Sequence, residues 1–137
     1  MSGSVLNPSF SIEIDLAPVA KGNRYRIVRY GKRYGIKESV EAESFKNATA
    51  MLILAKMGGA PSPFSKQDKL RMTCYVRHES YRPDLDLGCL KDALQKSGLI
   101  HNDRQIRIEH NEIEDKKGPG RIRLKLERVA SLPWKVS

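Results

Sequence analysis

From Arg121 to Arg128 every second residue is apolar: Ile122, Leu124 and Leu126 alternate with Arg121, Arg123, Lys125 and Glu127. Side chains on a strand point to opposite faces in turn, so this pattern demands a strand with one face in a core and the other in water. Near the other end of the chain Phe10, Ile12, Ile14 and Leu16 alternate with Ser11, Glu13 and Asp15, and Pro18 ends the run. These two half-buried strands limit the fold to one built around a sheet.

The intervening chain supplies the other elements. Tyr25 to Tyr30 and Arg33 to Ile36 flank Gly31-Lys32 and predict a hairpin. Ser39 caps a helix running to about Met57, with Val40, Phe45, Ala48, Leu52 and Ala55 expected on one stripe. Glu41 and Glu43 in its first turn and Lys56 in its last suit the helix dipole, and Gly58-Gly59 ends it before a loop over 60–67. Arg71 to His78 reads as a strand, with Met72, Cys74 and Val76 on one side and Thr73, Tyr75 and Arg77 on the other. A second helix over about Leu87 to Ser97 carries Leu87, Leu90 and Leu94 on one stripe and stops at Gly98. Ile106 and Ile108 alternate with Arg107 and Glu109 in a further strand, and 115–120 is a loop. The expected fold is a single α+β domain over 1–137, α/β-like, with a mixed sheet and two main helices. Residues 1–9 and 130–137 are expected to be flexible or packed tails.

Charge narrows the partners. Lysine and arginine number 25 against 16 aspartate and glutamate, a net charge of +9. That excess favours nucleic acid or another anionic surface over neutral metabolites. The longest apolar stretch, Ala48 to Ala55, is too short to span a bilayer, and the first residues do not read as a secretory signal. No membrane partner is expected. Cys74 and Cys89 lack the spacing of a zinc site and read as reduced thiols of a cytoplasmic protein. No phosphate-cradling glycine loop is present, so no small-molecule cofactor is expected.

The charge is unevenly placed. Lys21 to Lys37 holds seven bases and no acid: Lys21, Arg24, Arg26, Arg29, Lys32, Arg33 and Lys37, interleaved with Tyr25, Tyr30 and Tyr34. Such a segment suits phosphate contacts and stacking on bases, although many charge runs are only solvated faces. By contrast, 81–103 holds four acids against three bases. Asp84 and Asp86 are two apart, so on extended backbone both carboxylates face one way, roughly 6.6 Å apart along the chain. Asp103 follows the second helix, and a return of the chain there would bring it beside them. Three carboxylates without local bases repel one another unless a hard cation such as Mg²⁺ binds them. The plainer alternative is that Asp86 caps the helix and that Asp84 and Asp103 sit in turns.

The order of these pieces resembles the RusA-type Holliday-junction resolvases, small DNA endonucleases of phages and prophages. The likeness covers about Ile12 to Val129. It runs through Pro18 with Asn23-Arg24-Tyr25, a helix, a Gly/Pro loop, Arg82-Pro83-Asp84-Leu85-Asp86, Asp92-Ala93-Leu94 with Gly98, Asp103-Arg104-Gln105-Ile106, a loop from Lys116 to Gly120 and the closing strand. The resemblance implies a Mg²⁺-dependent homodimer that binds branched DNA, above all four-way junctions, and cuts two strands symmetrically in recombination and repair. It implies Asp84, Asp86 and Asp103 as catalytic metal ligands. The family's Asn after the second aspartate is Leu87 here, and its lysine four residues on has no direct counterpart; Lys91 stands nearest. Expected DNA contacts are Lys21, Asn23, Arg24, Arg26, Arg29, Lys32, Arg33, Arg82, Lys116 and Lys117. A non-catalytic basic DNA-binding protein of phage origin is the alternative expectation.

Overall fold

The structure, a computed structural model, describes residues 8–19, 25–77, 87–115 and 117–129. The elements run β1 (Ser9–Ile14), β2 (Tyr25–Tyr30), β3 (Arg33–Glu38), α1 (Val40–Met57), β4 (Leu70–Arg77), α2 (Gly88–Lys96), a 3₁₀ turn (Asp103–Gln105), β5 (Ile106–Ile113) and β6 (Arg121–Arg128). Four strands form one sheet in the order β1-β6-β4-β5, and β2-β3 form a separate two-stranded sheet. β6 pairs antiparallel with both β1 and β4. β4 and β5 pair parallel, so α2 is the crossover between them. This is the single mixed-sheet α+β body that the sequence predicts.

Alternation puts Phe10 and Ile14 of β1, Met72, Cys74 and Val76 of β4, and Ile122, Leu124 and Leu126 of β6 into one core. Phe45 and Ile53 of α1 and Leu90 and Leu94 of α2 close that core from one side. The other sheet face is wet and carries Ser11, Glu13, Thr73, Tyr75, Arg123 and Lys125, with Arg123 Nε donating to Glu13 at 3.0 Å.

The buried face of α1 departs from the expected stripe. Ala42, Phe45, Thr49, Ala50 and Ile53 are buried, whereas Val40, Ala48, Leu52 and Ala55 are exposed. Leu52-Ile53-Leu54-Ala55 is apolar nearly all the way round the helix, so periodicity does not pick out one face. Packing against the sheet and α2 decides instead. The capping at both ends follows the sequence. Ser39 Oγ accepts from the Ala42 N–H at 3.1 Å, and Gly58 takes φ 62° while its N–H reaches Ala55 and Leu54 carbonyls.

β5 holds a second departure. Leu70 pairs with Ile106 but Arg71 pairs with Ile108, a bulge that skips Arg107. Ile106 therefore packs on the core, while Ile108 shares the open face with Arg71. The same shift carries Glu109 to the helical side, level with Met72.

Candidate nucleic-acid and metal site

One end of the main sheet gathers the ends of its four strands. Register there sets Arg77 beside Arg121, Ile14 beside Ile122 and Val76 beside Ile113. The crossover places the start of α2 toward this end. Its buried N-cap residue, Leu87, makes no side-chain cap. The loop into β6 is close-fitted here: a Cβ on Gly120 would lie 2.5 Å from Ala17 N. Arg77 Nε donates to Pro119 O at 2.9 Å, and Arg121 Nη2 donates to both Glu114 oxygens at 3.0 and 3.1 Å.

Asp84, Asp86 and Arg82 lie outside the described residues, as do Lys21, Asn23, Arg24, Lys116, His78 and Trp134. Among the described residues no group of three or more His, Cys, Asp or Glu is placed to hold a metal ion. Asp103 is exposed in the 3₁₀ turn at the far end of α2. Its N–H donates to Gln95 Oε1 at 3.3 Å. Leu87 and Gln95 are eight residues apart, so roughly 12 Å of helix separates the two points.

The loop carrying Asp103 is held by Gln105, which is 5% exposed. Gln105 Oε1 accepts from the N–H groups of His101 at 2.8 Å and Asn102 at 3.2 Å. Its Nε2 donates to Ser65 O at 2.8 Å and Asp68 O at 3.0 Å. Asn102 Oδ1 in turn accepts from the Arg104 N–H at 2.9 Å. Within the Asp-x-Gln motif the glutamine is thus the anchor and the aspartate is the exposed group.

Lys91 lies early on α2 and is ion-paired with Glu109 of β5. Asn111 Nδ2 donates to the other Glu109 oxygen at 2.8 Å. Beneath them Cys74 is buried, and its thiol is pushed up to about 12, by burial first and then by the Glu109 charge. Cys74 and Cys89 are both buried free thiols. Lys46 of α1 pairs with Glu38 at 2.6 Å and lies 4.0 Å from Asp92. Its hydrogen bond to Glu38 raises its pKa against the opposing effect of burial.

Of the expected DNA contacts, Arg26, Arg29, Lys32 and Arg33 are exposed on the hairpin and Lys117 is exposed in the β5–β6 loop. Gly31 opens the two-residue turn at φ 62°, as a type II′ turn requires. Arg29 Nε donates to Gly31 O at 2.7 Å, and its guanidinium lies 6.0 Å from the Tyr34 ring centre. No sequence motif singles out Arg77, Arg121 or Glu109, which the fold brings to Pro119, Glu114 and Lys91. Arg77 borders the 78–86 segment, which was a readable signal, whereas Glu109 reaches Lys91 only because of the bulge. His101 is exposed and donates its backbone N–H to Gln105. No helix among the described residues is long and apolar enough to cross a membrane. No family model matches the chain, and no curated protein matches it.

Proposed function

We propose that the protein is a Mg²⁺-dependent endodeoxyribonuclease that binds four-way DNA junctions as a homodimer and resolves them by paired symmetric cleavage. One observation carries the reading. The Asp84-x-Asp86 stretch joins the end of β4 to the start of α2 in a parallel strand–helix–strand unit. The C-terminal ends of strands in such units are where α/β sheets bind ligands.

Asp84, Asp86 and Asp103 would hold the cation, and this donor set of hard carboxylate oxygens suits Mg²⁺ rather than a thiophilic metal. When bound, such an ion activates a water for in-line attack and stabilises charge on the leaving oxygen. Arg77, Lys117 and the hairpin bases hold backbone phosphates and set the orientation of the DNA without reading its sequence. Lys91, ion-paired with Glu109, brings an ammonium near the start of α2 whose charge is balanced until a phosphate competes for it. A two-fold axis gives two sites, matching the symmetry of the junction. Such a substrate, together with the resemblance to phage and prophage enzymes, supports a cytoplasmic location in a bacterial host.

Leu87 favours the second reading, a non-catalytic DNA-binding protein. It is packed in the core where the resembled family carries a polar Asn. Gel assays on a synthetic four-way junction separate the two readings. The first expects Mg²⁺-dependent cleavage that Asp84→Asn and Asp86→Asn abolish while binding persists. Binding without cleavage over a range of divalent metals would leave the second.

A further inference from the structure

Among the described residues the β2–β3 hairpin pairs only with itself. A lone two-stranded ribbon is marginal in water, so an apolar face on it calls for a cover. Register sets Ile27 opposite Ile36 and Arg29 opposite Tyr34, and alternation puts all four on one face. Ile27 is 75% exposed, Ile36 77% and Tyr34 71%. The opposite face carries Arg26 opposite Lys37, together with Arg33.

Charge decides what covers the apolar face. Arg26, Arg29, Lys32, Arg33 and Lys37 stand against a single acid in the two strands, Glu38, and Lys46 takes that acid at 2.6 Å. A second hairpin would bring five more positive charges onto the first. DNA brings the opposite charge. Continuous duplex offers phosphates but keeps its base faces stacked, leaving no apolar surface for Ile27 and Ile36. Bases at a branch point can unstack, and apolar side chains commonly wedge against such bases.

Resting on the reading above that the protein acts on branched DNA, we propose that this hairpin selects a branch point over continuous duplex. Ile27, Ile36 and Tyr34 lie on unstacked bases there, while Arg26, Arg33 and Lys37 hold phosphates of the adjoining arm.

The test uses the full chain without Mg²⁺, a four-way junction and a duplex of equal length. Ile27→Ser/Ile36→Ser is expected to lose roughly 10-fold in junction affinity and less than about 2-fold in duplex affinity. Ile27→Thr/Ile36→Thr keeps strand-forming side chains and gives the same split if folding is not the cause. Arg26→Gln/Lys37→Gln weakens both DNAs together and lowers the salt slope by about 2. A 2-aminopurine at the branch point brightens with the wild type and not with the isoleucine variants.

Variants that bind the junction as wild type does, or that lose junction and duplex equally, overturn the inference. So does a shift from dimer to monomer in the isoleucine variants, which would make the face a subunit contact. A wild type that binds DNA with no junction preference also overturns it while leaving DNA binding intact. A wild type that binds neither DNA sinks the underlying reading as well.

Discussion

Replacing Gln105 with Ala should unlock the Asp103 loop and cost much of the fold's margin. The side chain makes four hydrogen bonds at 2.8, 3.2, 2.8 and 3.0 Å, joining the His101–Asn102 turn to Ser65 and Asp68. Each is worth a net ~0.5–1.5 kcal/mol, and partial access of water to the loop moderates the sum to about 3 kcal/mol. A chain of this length then loses about 10 °C in melting temperature. Gln105→Glu sharpens the test. It keeps the oxygen that accepts both N–H groups, but its second carboxylate oxygen faces the two carbonyls that Nε2 now satisfies. The folded state therefore raises the acid's pKa above its unfolded value of about 4.3. The variant approaches wild-type stability in acid and falls away as pH rises. Urea melts of wild type and both variants at pH 4 and pH 7 read this directly. If Gln105→Ala unfolds within ~0.5 kcal/mol of wild type, or Gln105→Glu shows no extra loss at pH 7, the anchor role assigned to Gln105 is wrong.

Other consequences follow from buried groups and close approaches. The Cys74 thiol sits near 12 in the fold against 9.0 in the open chain, so the folded state keeps a proton that the unfolded chain releases. Stability should therefore fall from about pH 9 upward. The Lys46 ammonium adds to the loss above pH 10.5, where the folded chain keeps a proton that the unfolded chain releases; a flat urea midpoint from pH 8 to 11 would refute the Cys74 effect. A thiol reagent at pH 8 should label neither Cys74 nor Cys89 until denaturant is added. Gly120→Ala would drive a Cβ to 2.5 Å from Ala17 N and cost ~1–3 kcal/mol by overpacking; Ala17→Gly should rescue it only in part, because the backbone nitrogen remains. If subunits share the site, mixing Asp86→Asn with Asp103→Asn should restore cleavage that neither variant shows alone, and unchanged inactivity of the mixture would confine the site to one chain.

What the sequence made legible was what period two controls. β6 matches its expected bounds and β4 lies within one residue of them, because every second side chain declares its face. The helix caps at Ser39 and Gly58 were legible for the same local reason: each satisfies backbone groups within a few residues. The α1 face was not legible, since Leu52-Ile53-Leu54-Ala55 offers the core several choices and tertiary packing takes Ile53. The bulge at Arg107 was hidden too, because Ile106 and Ile108 look equivalent until pairing with Leu70 and Arg71 separates them. That hidden shift delivers Glu109 to Lys91. The motif around Asp103 was visible, but the division of labour between Asp103 and Gln105 depends on Ser65 and Asp68, about forty residues away in the chain.

Strand mapping reads cleavage of a junction strand by strand. A four-way junction is labelled on each strand in turn and incubated with the protein and Mg²⁺. The proposed endonuclease activity gives cuts at symmetry-related positions in two opposed strands, none in chelator, and none from Asp86→Asn although it still binds. A wild-type protein that binds the junction and leaves all four strands intact with every divalent metal tried would contradict it.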